Sequence, residues 1–219
     1  AQRPAFNLAP ADMPVRLSMP APRSCRLTRA WATLAACTGQ AVRIAPALMN
    51  DPVVDCVKLL NQLGAHANRD DGAVHVAAGT PLGTPDKVLH VGDSSWNFYL
   101  ALGHYLGRPS RTKFTGGAAL KLADLSGVLP GRVVSPADAP VELAEGIMLA
   151  APSYERAITL DLSAMPERAL AFARILPVLN AAGADVRREG DVLHFQPCAL
   201  SIPSEPTLPV EPELAVFLM

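Results

Sequence analysis

Apolar residues return along this chain with two different spacings. From Arg26 to Cys37, and again from Pro52 to Leu63, they recur every three or four positions, the spacing of a helix with one buried face. At Ala41-Val42-Arg43-Ile44 and Val74-His75-Val76 they alternate with polar residues, which predicts strands. One segment occurs twice. Leu60-Asn61-Gln62-Leu63-Gly64-Ala65, followed by Asp70-Asp71-Gly72 and Val74-His75-Val76, returns as Leu179-Asn180-Ala181-Ala182-Gly183-Ala184, then Glu189-Gly190-Asp191 and Val192-Leu193-His194-Phe195. In each copy a helical pattern stops at glycine, a short polar strand follows, an acidic-glycine turn reverses it, and an alternating strand carries a histidine near its end. Recurrence at this distance predicts one domain of repeated α/β units rather than a singly wound sheet.

Residues 1–14 read as an extended lead-in and Val15-Arg16-Leu17 as a strand, because Pro4, Pro10, Pro14, Pro20 and Pro22 forbid a helix. The helix ending at Cys37 stops at Gly39. Asn50-Asp51-Pro52 predicts the next helix start, with Asn50 or Asp51 as cap and Pro52 in the first turn. With the hairpin this makes a β-α-β-α-β-β unit over residues 15–78. A second unit, 86–136, opens on the strand Val88-Leu89-His90-Val91. The polar turn Gly92-Asp93-Ser94-Ser95 leads into a helix from Trp96 to Leu106, and helix 118–125 and strand 131–134 follow. The third unit, 140–197, takes a helix from Val141 to Ala151, the strand Ala157–Leu162, a helix from about Pro166 to Ala182 and the second hairpin. Residues 198–219 carry Pro203, Pro206, Pro209 and Pro212 at every third position and read as an extended tail, with 215–218 as a terminal strand.

Half of the 219 residues are hydrophobic, so the chain can bury a core without covalent staples. A net charge of −1, with no basic stripe, leaves nucleic acid an unexpected partner. Cys25, Cys37, Cys56 and Cys198 form no Cys-x-x-Cys pair and sit in apolar stretches. They read as buried reduced thiols of a cytoplasmic protein, with a disulfide or metal role as the alternative. No leader pattern opens the sequence and no run of about 18 apolar residues occurs, so no membrane span is expected. With no metal-ligand spacing and no glycine-rich phosphate loop, neither a metal nor another cofactor is expected.

Asp93, Ser94, Ser95 and Asn97 form the best local polar cluster. Short polar residues ahead of a helix either cap it or leave amides to hold an anion. His90, one strand earlier, is a proton-transfer candidate beside them. His75 and His194 occupy equivalent places in the two repeats and read as structural. His104-Tyr105 reads as surface. Trp96 and Tyr99 lie three apart on one helix face, either as packing or as an aromatic pocket wall.

Five stretches carry a family resemblance in a consistent order. They are Ser24-Cys25-Arg26-Leu27-Thr28-Arg29-Ala30 with Gly39, Asn50-Asp51-Pro52 with Leu63-Gly64, Gly92-Asp93-Ser94-Ser95, Phe114-Thr115-Gly116-Gly117, and Ile147-Met148-Leu149-Ala150-Ala151-Pro152. Together, over residues 15–197, they resemble one domain of the enolpyruvyl transferases, the EPSP-synthase-like family. The resemblance implies an α/β globule of three β-α-β-α-β-β repeats, like one half of that family's inside-out α/β barrel. Family enzymes have two such domains, and this chain would supply one. Its start and tail fall where a synthase chain would cross into the second domain and back.

The family moves the enolpyruvyl group of phosphoenolpyruvate to a hydroxyl through a tetrahedral adduct in a closed cleft, which takes several fixed cations, an acid and a base. This sequence departs from that set. The family lysine falls on Arg23 or Ser24, and the next serine on Ser24 or Cys25, while Arg29 keeps the arginine. A second arginine falls on Tyr99, an Arg-Pro pair is missing with only Lys121 nearby, and Pro140-Val141-Glu142 replaces the family's Ser-Ser-Gln. Tyr99 removes a bidentate anion clamp, and a Glu142 carboxylate repels anions. Ordinary phosphoenolpyruvate transfer is therefore not expected. One reading is a recruited enzyme of specialised biosynthesis, carrying out a cyclisation, elimination or isomerisation on a small carboxylate or cyclic substrate. In it Arg29 holds a carboxylate, Tyr99, Glu142, Asp93 or His90 move protons, and Arg23, Ser24, Asp51, Ser94, Ser95, Trp96, Asn97 and Lys121 line the site, Asp51 serving alternatively as a helix cap. The other is a non-catalytic partner domain whose former cleft face is covered by a copy of itself or by another protein.

Overall fold

The computed structural model describes residues 22–70, 72–83, 88–106, 112–121 and 139–210, without the side chains of Ala119 and Lys121. Helix α1 spans Cys25–Thr38. Ser24 starts it by accepting the Leu27 amide on its hydroxyl, and Gly39 ends it at φ 68°, a left-handed conformation that glycine adopts without strain. Every residue from Thr28 to Cys37 is buried, which makes α1 the central rod of the molecule. Helix α2 spans Asp51–Gln62 and is capped by Asn50, whose side chain accepts the Val53 amide. Strand β1 (Val42–Ile44) lies between these helices in sequence, and β2 (Ala67–Asp70) and β3 (Ala73–Val76) complete an antiparallel sheet of order β1-β3-β2.

The middle of the chain adds β4 (Leu89–His90), α3 (Ser95–Leu106), β5 (Phe114–Thr115), which runs parallel to β4, and the single turn α4 (Ala118–Lys121). Helix α5 (Val141–Ala150) continues into a 3-10 turn at Ala151–Ser153. Strand β6 (Ile158–Asp161), helix α6 (Arg168–Ala181) and strands β7 (Val186–Glu189) and β8 (Val192–Phe195) then close a second antiparallel sheet of order β6-β8-β7.

The two three-stranded sheets are twins in register. Asn68 faces His75 in the first and Arg187 faces His194 in the second, while Asp70 and Glu189 hold matching positions at the hairpin ends. The repeated segment therefore builds the same object twice. Helices α3 and α5 meet backbone to backbone. A side chain on Gly103 would strike the Gly146 carbonyl, and one on Gly146 would strike the Tyr99 carbonyl.

Two sequence expectations change. His104 and Tyr105 are buried rather than superficial, and the Cys37 sulfur lies 3.5 Å from His104 Nδ1 between the ends of α1 and α3. Residues 200–210 are extended, as read, but packed: Gln40 bonds Leu200 and Ile202, Arg43 donates its amide to Ser204, and Ile202, Pro206 and Leu208 are buried. We call this segment the strap. The strands expected at 15–17, 131–134 and 215–218, and the end of the helix expected over 118–125, lie outside the described residues. Among the described residues no helix is long and apolar enough to cross a membrane.

Candidate functional site

Three helix starts gather around one arginine. Arg29 lies one turn into α1 and points at the beginning of α3. Its Nη1 donates to the Ser94 hydroxyl at 3.0 Å and to Asn97 Oδ1 at 2.9 Å, and its Nε donates to the Cys25 carbonyl at 3.2 Å. Ser94 also accepts the Asn97 amide at 3.4 Å, so one hydroxyl caps α3 and holds the guanidinium. Asn97, completely buried, spends its other arm on the Pro52 carbonyl at 3.0 Å and so ties in the first turn of α2. The opposite edge of the guanidinium, Nη2, has only the Cys25 sulfur at 4.0 Å.

The Trp96 ring lies under Arg29, 4.4 Å from the guanidinium carbon to the ring centre. The indole N–H donates to Glu145 at 2.5 Å. Glu145 is fully buried and also accepts from Arg26 at 2.9 Å and Arg174 at 3.5 Å, while Glu142 accepts from Arg26 at 3.4 Å. Two glutamates thus face two arginines. Arg29 stands apart: only 4 % exposed, it has no carboxylate within ion-pair distance among the described residues. Burial pulls its guanidinium below the ordinary arginine value. Tyr99 is pushed the other way, upward, by burial and then by the Glu142 charge, so its phenol keeps its proton at neutral pH.

The remaining predicted residues scatter. Ser24 is buried as the α1 cap, and Arg23 reaches away to the Leu208 carbonyl at 3.1 Å. Asp51 is exposed as the first residue of α2, where Asn50 does the capping, and Ser95 is exposed as the first residue of α3. Asp93 accepts the Leu120 amide at 3.3 Å, which pins α4, and Gly117 approaches Asp93 too closely for a side chain. His90 is exposed beside Gln62, at the opposite end of α2 from Pro52. Lys121 is the last residue of α4. The structure therefore brings Arg29, Ser94, Trp96 and Asn97 together, sets Tyr99 near Glu142, and leaves His90, Asp51 and Arg23 outside the cluster.

Sequence reasoning missed Arg26, Glu145 and Arg174. Glu145 had a visible cue: a carboxylate inside the otherwise apolar run Leu143–Ala150 is either misplaced or paired. Four cavities of about 470, 460, 350 and 100 Å3 are lined by described residues, and none of them borders Arg29, Asp93, Tyr99 or Glu142. The cluster does not line any of these four.

Two solved structures of EPSP synthase from Acinetobacter baumannii superpose on this chain with a TM-score of 0.71 at 16% sequence identity. The fold is EPSP-synthase-like. The matches cover 92% and 91% of this chain and 52% and 51% of theirs, so the chain spans about half the length of the EPSP synthase structures it matches. No protein-family model and no curated protein sequence matches it. The shared fold agrees with the order of motifs in the sequence. At this identity it speaks for the arrangement of elements and not for the chemistry at Arg29.

Proposed function

We propose that this EPSP-synthase-like domain binds a small carboxylate at Arg29 and acts on it by cyclisation, elimination or isomerisation rather than by transfer from phosphoenolpyruvate. The observation that carries the proposal is the charge balance. A buried cation is costly unless a counter-charge or hydrogen bonds compensate it, and among the described residues Arg29 has neutral partners only, while Glu142 and Glu145 are matched by Arg26 and Arg174. A carboxylate arriving at the Nη2 edge, beside half-buried Cys25, supplies the missing charge through charge-assisted hydrogen bonds. Tyr99, held protonated, donates to a developing oxyanion, and Glu142 takes a proton. Asp93 is committed to the α4 start and His90 lies at the far end of α2, so neither is needed in this step.

Thermal unfolding with phosphoenolpyruvate, shikimate 3-phosphate and a panel of small carboxylates tests this reading, wild type beside Arg29→Met. A ligand at a hundredfold excess over its Kd stabilises by about 2.7 kcal/mol. The expected result is a stabilisation that grows with concentration and vanishes in the variant. No shift with any carboxylate, or an equal shift in both proteins, overturns it.

One observation favours a second reading, a partner domain: Arg29 borders none of the four cavities, so another body could complete the site. A mass in solution twice that of the chain, combined with no ligand response, selects that reading.

A further inference from the structure

The largest of the four cavities is a groove of about 470 Å3 between α1, α6 and the strap. Leu27 and Trp31 line one wall, Pro177 and Val178 another, Pro206 the third, and Arg174 stands at its polar edge. Leu27 and Trp31 are four residues apart and share one face of α1, whereas Arg29, two positions on from Leu27, faces the other way. The groove and the Arg29 cluster are therefore separate places on the same helix.

Two polar groups in this groove have unused bonding capacity. Trp31 is 5% exposed, and its indole N–H has no hydrogen-bond partner among the described residues. Arg174 gives one Nη1 hydrogen to Glu145 across a long 3.5 Å, and its Nη2 and Nε donors have no partner among the described residues. A volume within the range of small-molecule sites and mostly apolar walls with a charged donor at the edge are features of such a site. Glu205 also borders the cavity and places a negative charge at its strap side, partly offset by exposed Arg43 at 3.7 Å. A carboxylate there repels a second anionic group on any ligand.

We propose that this groove is a binding site for a monocarboxylic acid with an aromatic or alicyclic body. The carboxylate sits on the free edge of Arg174, the ring packs against Trp31 and the strap prolines, and Glu205 turns away diacids and phosphates. The site does not use Arg29, although Arg174 reaches Glu145 of that cluster at 3.5 Å.

The two tryptophans of the chain, Trp31 and Trp96, report the two places separately. Their indole N–H signals are resolved by NMR in 15N-labelled protein and assigned with Trp31→Phe and Trp96→Phe. Cinnamate is the probe, with cinnamyl alcohol as the uncharged match and phosphoenolpyruvate as the multiply charged control. Cinnamate is expected to move the Trp31 signal saturably and further than that of Trp96, which feels Arg174 only through Glu145, and both Arg174→Gln and the alcohol are expected to weaken this by about tenfold or more. No movement of Trp31, movement of Trp96 alone, or an unchanged response in Arg174→Gln overturns the proposal. If circular dichroism shows that Arg174→Gln does not fold, Glu205→Gln on the exposed strap decides. Phosphoenolpyruvate, silent at Trp31 in the wild type, then moves that signal in the variant, and continued silence overturns the proposal.

Discussion

The guanidinium of Arg29 rests on the face of Trp96, 4.4 Å from the ring centre, and the same indole gives its N–H to Glu145. Trp96 therefore stands between a buried cation and a buried carboxylate. The ring face stabilises the cation by its quadrupole while the ring edge satisfies the anion, so the two charges do not close on each other. Glu145 is left to Arg26 and Arg174, and Arg29 has no counter-ion among the described residues.

Trp96→Phe keeps a smaller aromatic face and removes the N–H donor together with part of the buried ring. It is expected to destabilise the fold by about 1–3 kcal/mol, the cost of one unmade bond to a buried charged acceptor, measured by urea denaturation. Carboxylate binding at Arg29 is expected to survive this change and to weaken in Trp96→Leu, which also removes the cation–π contact.

Glu145→Gln and Glu142→Gln separate a buried carboxylate from a partly exposed one on the same helix. Glu145 is fully buried with three donors, and Glu142 is partly exposed with one donor at 3.4 Å. The first substitution is expected to cost about 2–4 kcal/mol, because it strips a counter-charge from Arg26 and Arg174, and the second within about 1 kcal/mol. Equal unfolding midpoints for the two variants would sink this account.

Gly103→Ala and Gly146→Ala test the α3–α5 crossing. An added methyl at either position meets backbone rather than a movable side chain. Each is expected to destabilise by about 3 kcal/mol or more, seen as a lower thermal midpoint or lost soluble yield. Gly64→Ala, which meets no atom within 4 Å but has φ 99°, probes backbone strain without any clash and should cost less, about 1 kcal/mol.

Cys56 makes stability depend on alkaline pH. Burial raises its thiol from 9.0 to about 11, with the Arg29 charge pulling weakly the other way. The folded state holds this proton more tightly than the unfolded chain. The contribution is therefore complete below 9.0 and is lost as pH rises through about 11. Tyr99, also raised, adds in the same direction at higher pH. Urea denaturation is expected to show a loss of about 1 kcal/mol from Cys56 by pH 10, and Cys56→Ala to show a shallower decline over the same range.

Periodicity and punctuation made most of the fold legible. The Gly39 stop, the Asn50 start and the two acidic-glycine hairpins are local signals, and each element they bound is present within a residue or two. The burial of Arg29 was not legible, because an arginine near the start of a half-buried helix reads the same whether it is solvated or enclosed. What encloses it is Asn97, 68 positions along the chain. His104 failed for a related reason: polar residues late in a helix read as solvent-facing until another helix end, here that of α1 with Cys37, arrives to cover them. The strap misleads through proline, which excludes helix and ladder alike but says nothing about packing, and Ile202 and Leu208 fill the gaps between its prolines.

The strap also covers one margin of the first sheet, and it does so late. Strand β1 is an edge of its sheet, and the outward amide of Arg43 is taken by the Ser204 carbonyl at 2.8 Å. A bare strand edge is a template on which another chain can add. As the polypeptide leaves the ribosome, β1 to β3 are complete long before Ser204 is made. Through that interval the β1 margin lacks the partner that Ser204 later gives it, so a chain ended before the strap is expected to associate with its own copies along β1 more readily than the longer one.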